Sequence, residues 1–457
     1  MIEKAPDVKN NVKYKNLSDG YLSQIPFIIG DTNYKIENEY LYWDKIKYIK
    51  NEDLNGFINF EGIKKHFKGI NSGEVIWTAF KRRRSSREIN RYLWSSKHNH
   101  ITYSYNINSP LQQKLHYLDF NFGAGLQKEQ LLSELEKQQY LKNALMEEAV
   151  FSSMIEGATT TRVKAKEMLR KNKKPKTHSE QMILNNYETI QYISEHKEED
   201  ISIQKLYELH QLVTENTLEK ESVGVFRKNN DVSVVNEITG EIIHTPPSFE
   251  ELDGLMQSFV EFFNNNPKED FIHPIVKASI LHFLIGYIHP FVDGNGRTAR
   301  AIFYWYLLKN GYWLTEYLSI SRVIMETKVQ YEKAYLYTEI DDMDVTYFIH
   351  YQVKVLIKAF EDLKKYVEKK KKDEVKLIKF LQFEGINERQ AEVLYKIEKK
   401  ATKSFTIKEI ENTYAVTNQT ARTDIEELVE KGFLKKVAIN KKSFNYWKGE
   451  SFDDTFL

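Results

Sequence analysis

The sequence has no cysteine among its 457 residues. This absence excludes disulfides and thiolate chemistry, and it favours a reducing compartment, so we expect a cytoplasmic protein. The formal net charge is only +1, which gives no overall attraction to nucleic acid or to a membrane surface. No run of about eighteen apolar residues occurs, and the first residues lack the apolar core of a signal peptide. We therefore expect no membrane-spanning helix.

The segment with the clearest chemical content is residues 289–300, His-Pro-Phe-Val-Asp-Gly-Asn-Gly-Arg-Thr-Ala-Arg. Its glycines let backbone N–H groups approach an anion, and a helix that begins at the second glycine would direct its positive end toward that anion. The arginines offer forked donors for phosphate oxygens, and the aspartate can hold Mg²⁺ against the phosphates. The histidine can accept a proton from an attacking hydroxyl. The segment therefore predicts nucleotidyl or phosphoryl transfer.

Two other interpretations of this segment are weaker. Residues 294–299 also fit the dinucleotide-binding pattern G-x-G-x-x-G/A, but that pattern requires a preceding strand. Residues 274–288 instead predict a helix that is apolar on nearly every face, with Pro274 at its first position. The other alternative is a polar connection between helices, although such connections rarely collect two glycines, two arginines and a carboxylate. We therefore expect a helix, then an anion-binding loop, and then a second helix.

The segment also matches a family signature, H-x-F-x-[D/E]-G-N-G-R-x-x-R. Every fixed position is present: His289, Phe291, Asp293, Gly294, Asn295, Gly296, Arg297 and Arg300. The chain thus resembles the Fic (Fido-domain) protein adenylyltransferases, which transfer AMP from ATP to a hydroxyl side chain of a target protein.

The resemblance implies a role for each residue of the signature. His289 is the catalytic base, Asp293 is the Mg²⁺ ligand, and Phe291 anchors the loop in the core. The ATP-binding residues that it implies are Gly294, Asn295, Gly296, Arg297, Thr298, Ala299 and Arg300. Tyr331 lies where family members often carry a Tyr-Tyr pair that contacts adenine, but here the second residue is Glu332.

A second motif lies upstream, where residues 152–157 fit the family's inhibitory pattern [S/T]-x-x-x-E-[G/N]. Ser152 and Glu156 continue an apolar stripe of a predicted helix, and a carboxylate directed inward needs a cationic partner. The resemblance supplies Arg300 as that partner, so that Glu156 occupies the place of the ATP γ-phosphate. The alternative is a solvated glutamate near a helix end.

A β-hairpin is predicted between these motifs. Residues 232–235 and 241–244 are rich in β-forming side chains and flank Thr239-Gly240. The resemblance implies that residues 232–245 form a flap that binds an extended segment of the target by strand addition. Ser248 to Glu251 fit a capping box, which would open a helix that runs to about residue 263.

The C-terminal part resembles a winged helix-turn-helix. Helices are predicted near 388–399, from 406, and over 417–431, followed by strands near 433–438 and 443–447. The third helix would present polar residues suited to DNA, namely Asn418, Gln419, Arg422 and Thr423. Asp424, Glu426, Glu427 and Glu430 make the same helix acidic, so residues 417–447 could bind either DNA or protein.

These features predict a mainly α-helical protein with four parts. They are a mixed α/β N-terminal region (1–125), a helical region with the inhibitory helix (126–200), a Fic core (201–355) and a winged helix (375–450). The expected function is Mg²⁺- and ATP-dependent adenylylation of a protein Ser, Thr or Tyr hydroxyl, autoinhibited by Glu156. De-adenylylation, transfer of another nucleoside monophosphate, and a DNA-binding regulator stay open as alternatives, as does assembly into a homodimer.

Overall fold

The computed structural model describes residues 89–94, 100–125, 134–171, 173–235, 239–265, 271–399, 404–414, 416–438 and 444–456, together with positions 74, 77, 78 and 81. The chain divides into two compact units, residues 1–361 and 362–457. Among the described residues, no helix is both long and apolar enough to cross a membrane.

The first unit is mainly helical, as predicted. Its strands are β1 (Ile89–Trp94), β2 (His100–Tyr105), β3 (Val234–Val235) and β4 (Ile242–His244). Its helices are α1 (Ser109–Asp119), α2 (Glu134–Ile155), α3 (Arg162–Arg170), α4 (His178–His196), α5 (Ile203–Thr214), α6 (Leu252–Asn264), α7 (Pro274–Ile288), α8 (Asn295–Lys309), α9 (Ile320–Glu326), α10 (Lys328–Ile340) and α11 (Thr346–Leu381), of which α11 includes residues on both sides of the unit boundary. Short 3₁₀ turns cover Lys220–Ser222, Phe249–Glu251 and Trp313–Tyr317, and a π-helical turn covers Phe120–Gly125.

Two buried helices, α7 and α8, carry the signature between them. The prediction for α7 is confirmed, with Pro274 in its first turn and the His273 ring accepting a hydrogen bond from the N–H of Ile275. Gly294 is the N-cap of α8 and has a φ of 82°, a left-handed conformation that glycine adopts without strain. The helix begins at Asn295, one residue earlier than predicted, because the turn is completed by Gly294 rather than Gly296.

Helix α2 buries four polar residues of its C-terminal half, namely Glu147, Glu148, Ser152 and Ser153. The Asn186 side chain donates to the Ser153 hydroxyl at 2.7 Å and so joins α4 to α2. The buried carboxylate of Glu148 accepts a hydrogen bond from the N–H of Ser321 at 2.8 Å and thereby joins α2 to α9. The helix ends at Ile155, and Gly157 follows with a φ of 88°. Glu156 therefore lies in the turn just beyond the helix, at a fixed place against the core.

The predicted hairpin is present, with a difference at the helix that follows it. Strands β3 and β4 pair antiparallel, with Val234 opposite His244. The capping box predicted at Ser248 does not form, because residues 249–251 begin as a 3₁₀ turn; the Ser248 hydroxyl donates to Glu250 and accepts from Asn230 instead. In the N-terminal region, which is predicted to mix α and β structure, β1 and β2 form an antiparallel pair.

The second unit contains α12 (Glu388–Glu398), β5 (Ser404–Phe405), α13 (Ile407–Tyr414), α14 (Asn418–Glu430), β6 (Leu434–Ala438), β7 (Phe444–Lys448) and α15 (Ser451–Phe456). The strands form one antiparallel sheet in the order β5-β7-β6. Apolar side chains of the three predicted helices meet in its core, which includes Leu394, Ile410, Ile425 and Leu428. The predicted order of helices and strands is confirmed, and β5 and α15 are additional elements.

Candidate active site

His289 lies at the C-terminal end of α7 in a left-handed conformation, with φ 50° and ψ 57°. Its Nδ1 is 3.1 Å from the carbonyl oxygen of Gly286. Because a carbonyl can only accept, Nδ1 carries the proton and Nε2 keeps its lone pair. Burial lowers the pKa of His289, so the ring is neutral near pH 7. The side chain is thus prepared to accept a proton at Nε2.

The loop after His289 is closed by the side chain of Asn295. The N–H of Phe291 donates to Asn295 Oδ1 at 2.9 Å, and Asn295 Nδ2 donates to the Phe291 carbonyl at 2.8 Å. Phe291 itself is fully buried, which is the packing expected of an anchor. The structure thus gives the Asn295 side chain a loop-closing contact, and its predicted contact with phosphate stays a prediction.

Arg297 and Asp293 form an ion pair on one side of the loop. Arg297 Nη2 is 3.3 Å from Asp293 Oδ2, and Nη1 donates to the carbonyl of Val213, the residue before the last in α5, at 2.8 Å. The guanidinium is buried, whereas the Asp293 side chain is 55% exposed and accessible to a cation. Among the described residues, Arg297 Nε and Thr298 Oγ1 are buried without a hydrogen-bond partner. Unpaired donors beside a helix N-terminus suit a phosphate ligand.

Arg300 joins α8 to the inhibitory motif. Its Nε donates to Ser152 Oγ at 2.9 Å, Nη2 donates to the Ser152 carbonyl at 2.9 Å, and Nη1 donates to Glu156 Oε1 at 3.0 Å. Burial alone would lower the pKa of Arg300, but Glu156, Tyr331 and Glu148 together raise that pKa above its usual value. The Glu156 carboxylate also lies directly over Gly296, where an added Cβ would be 2.2 Å from Oε1. A carboxylate therefore covers the N-terminus of α8.

Comparison with known proteins agrees with this geometry. Residues 200–307 match the family model described as Fic/DOC family. Residues 200–307 therefore resemble a Fic/DOC domain. Protein adenylyltransferase Fic from Nematostella vectensis is 31% identical over 180 residues, which are 38% of this chain and 39% of the relative. The corresponding protein from Drosophila melanogaster is 36% identical over 113 residues, 25% of this chain and 21% of the relative. The matched segments span well under half of these relatives.

Solved structures share the fold of this chain. A Fic family protein from Desulfovibrio desulfuricans superposes with a TM-score of 0.50 at 17% identity and covers 75% of this chain and 95% of its own. A variant of Fic-1 from C. elegans superposes with a TM-score of 0.50 at 18% identity and covers 78% of this chain and 89% of its own.

Two residues that support the signature of the Fic/DOC domain escaped the sequence analysis. His210 on α5 is fully buried, and its ring nitrogens contact the carbonyl of Asp293 and the N–H of Gly224. Arg227 donates from Nε to the His289 carbonyl at 3.0 Å and from its backbone N–H to the Pro290 carbonyl at 2.9 Å. The available signal was a histidine on the apolar stripe of α5, which a satisfied core residue also produces.

The hairpin of β3 and β4 is anchored by a histidine. His244 in β4 contacts Glu339 Oε2 through Nδ1 and the Tyr287 carbonyl through Nε2, each at 2.7 Å. Val235 and Ile242 in the paired strands are 46% and 63% exposed, and residues 236–238 lie outside the described residues. The hairpin thus presents apolar side chains to solvent, while His244 at its C-terminal end is fixed beside the end of α7.

Tyr331 lies deeper than a ligand-facing ring would require. Its hydroxyl is 2.9 Å from His282 Nε2, and only 8% of the residue is exposed. Its ring packs against Tyr335 with centroids 5.3 Å apart. The predicted contact with adenine therefore stays a prediction. No group of three or more His, Cys, Asp or Glu residues that could hold a metal occurs in the described part of the chain, so a cation at Asp293 would need ligands from its nucleotide.

Proposed function

We propose that this protein is a Mg²⁺-dependent protein adenylyltransferase that transfers AMP from ATP to a Ser, Thr or Tyr hydroxyl of a target protein. The observation that carries the proposal is the arrangement of His289 beside the N-terminus of α8. A base with a free Nε2 lies next to the first turns of α8, whose buried guanidiniums, Arg297 and Arg300, suit phosphates. The likeness to protein adenylyltransferase Fic from Nematostella vectensis supports the same reaction.

The chain's own residues account for the steps of the reaction. His289 Nε2 accepts the proton of the target hydroxyl as the hydroxyl oxygen forms a bond to the α-phosphorus of ATP. The bond between that phosphorus and the bridging oxygen breaks, and pyrophosphate leaves. First-turn N–H groups of α8 and the donors of Arg297 and Arg300 bind the phosphates and balance their charge. When bound, Mg²⁺ would neutralise charge on the phosphates, and the exposed carboxylate of Asp293 would hold it.

Glu156 inhibits this reaction, in our proposal, by occupying an anion's place. Its carboxylate covers Gly296 and contacts Arg300, so ATP cannot place its outer phosphate there while Glu156 stays. The α-phosphate is then not presented in line to the hydroxyl, and such misplacement costs about a hundredfold in rate. The flap, residues 232–245, binds the target backbone by strand addition, which gives register but little side-chain selectivity.

Mass spectrometry of the Glu156→Gly variant after incubation with each nucleoside triphosphate and Mg²⁺ tests the proposal. The expected product carries one added AMP on a hydroxyl side chain and forms only with ATP. The matched control adds His289→Ala, which should lower transfer by at least about a hundredfold while ATP binding persists. Addition of another nucleoside monophosphate, or loss of AMP from a modified protein without transfer, would replace adenylylation by one of the alternatives. Full transfer by the His289→Ala variant would contradict the assigned base.

A further inference from the structure

We infer that His210 is a positioning residue for the loop between α7 and α8, residues 289–294, which we call the phosphate loop. Its imidazole orients the peptide between Asp293 and Gly294. The inference rests on the proposed nucleotide transfer and adds to it a residue outside the signature. His210 lies on α5, is fully buried, and contacts the loop through Nε2 and one ring face, while its Nδ1 binds Gly224.

The hydrogen bonds of His210 fix its chemical form. The N–H of Gly224 donates to Nδ1 at 3.0 Å, so Nδ1 is unprotonated. Nε2 is 2.9 Å from the carbonyl oxygen of Asp293, which can only accept, so Nε2 carries the proton. The ring also stacks on Phe291, with centroids 3.8 Å apart and planes inclined by 2°. A neutral imidazole in one tautomer thus satisfies two backbone groups and packs on the loop anchor.

The bond to Asp293 sets the direction of a peptide group. In a trans peptide the C=O and the next N–H point in opposite directions, and no described peptide bond is cis. Because His210 holds the Asp293 carbonyl toward α5, the N–H of Gly294 points away from α5. No side chain fits at position 294, since an added Cβ would be 2.8 Å from Thr214 Cγ2 and 3.3 Å from His210 Nε2. His210 therefore orients both the Gly294 N–H and the backbone that carries the Asp293 carboxylate.

The other end of the loop is held by a different side chain. Arg227 binds the carbonyls of His289 and Pro290, so the base keeps its support when His210 is changed. Loss of the His210 donor should release the Asp293 end of the loop alone. The expected defect is a higher KM for ATP and a higher requirement for Mg²⁺, with the proton transfer at His289 preserved. A residue needed only for folding would not produce that separation.

Three substitutions in the Glu156→Gly background test the inference. His210→Phe keeps a flat ring against Phe291 but removes both polar atoms, His210→Gln keeps an N–H donor, and His210→Ala removes everything. We expect His210→Phe to raise the KM for ATP and the Mg²⁺ concentration for half-maximal rate by about tenfold or more, because a buried acceptor loses its donor. His210→Gln should recover most of this loss. His178→Phe is the matched control, since His178 is exposed and contacts a carbonyl outside the loop, that of Thr217, at 3.2 Å.

The melting temperature with and without ATP and Mg²⁺ gives a second readout that needs no transfer. A smaller ligand-induced rise for His210→Phe than for the Glu156→Gly parent, at a similar unliganded melting temperature, supports the inference. An unchanged KM for ATP in His210→Phe would overturn the inference. So would a result in which all three variants lose the same amount of unliganded melting temperature and the same fraction of activity as one another. If the parent transfers no AMP, the proposed function fails, and the ligand-induced rise still decides the role of His210.

Discussion

The phosphate loop and helix α14 both carry residues that were predicted to bind ligands, but they hold them in opposite ways. Beside the loop, in the first turns of α8, Asn295, Arg297 and Arg300 are each at most 3% exposed. Their side chains donate hydrogen bonds to Phe291, Val213 and Ser152, respectively. On α14, Asn418, Gln419, Arg422 and Thr423 are all exposed. A buried, mutually bonded site depends on each member's geometry, whereas exposed side chains contribute separately. Single substitutions should therefore have large effects in the loop and small ones on α14.

The acidic residues of α14 are largely used within their own unit. Asp424 is buried and accepts from Arg389 Nε at 2.7 Å and from Asn387 Nδ2 at 2.8 Å. Glu426 accepts from Lys436 at 2.6 Å, and Glu427 accepts from Gln390 at 2.6 Å. These contacts reduce the repulsion that the helix would exert on a phosphate backbone. The exposed face is less acidic than the sequence alone suggests.

The largest expected effect comes from Glu156→Gly, which removes the carboxylate from the N-terminus of α8. We expect AMP incorporation to rise by about a hundredfold at unchanged protein level, because the outer phosphate can then reach Arg300. Arg300→Ala should not reproduce the rise, since it frees Glu156 but removes a phosphate ligand. The double variant should be as inactive as Arg300→Ala alone because both residues act on one step. Equal rates of AMP incorporation in the wild type and Glu156→Gly would show that Glu156 is only structural.

A smaller effect is expected from Gly296→Ala, which adds a methyl group where Glu156 and the phosphates compete. The new Cβ would be 2.2 Å from Glu156 Oε1, so the flexible glutamate must move. Inhibition should weaken, yet the rate should stay below that of Glu156→Gly because the methyl group also hinders the phosphates. In the Glu156→Gly background we expect the KM for ATP to rise by about tenfold. The melting temperature should not fall, because alanine favours a helix over glycine; an unchanged KM would contradict a phosphate position at Gly296.

The pH dependence of kcat/KM should reflect the burial of His289. Burial lowers its pKa, and the base is active when neutral, so the acid limb of kcat/KM should lie below pH of about 6.5. Glu156 raises the pKa of His289 by its negative charge, so the limb should move lower still in Glu156→Gly. Rates measured between about pH 5 and pH 8 for both proteins test the sign of this shift. A limb above that of free histidine would exclude His289 as a desolvated base.

Local sequence patterns were sufficient for part of this site. The apolar residues and Pro274 indicated α7, and the glycines indicated the turn into α8, because these features act on neighbouring residues. The supports of the loop could not be found in that way. His210 and Asp293 are 83 positions apart, and Arg227 and His289 are 62 apart, so no spacing connects them. Nor did the sequence show that the Asn295 side chain closes the loop on Phe291, because such a contact depends on the loop's folded geometry.

The smallest effect is expected on α14, where the winged helix stays a prediction. If this helix binds DNA, Arg422→Ala should weaken binding to genomic fragments and lower the salt dependence by at most about one phosphate contact. The matched control is Lys408→Ala on α13, whose side chain is 75% exposed and whose loss should leave the salt dependence unchanged. Fluorescence anisotropy at several salt concentrations measures both variants. Because α14 exposes separate side chains, the residual binding of Arg422→Ala should remain measurable. An absence of salt-sensitive binding to every fragment would favour docking of a protein on residues 417–447.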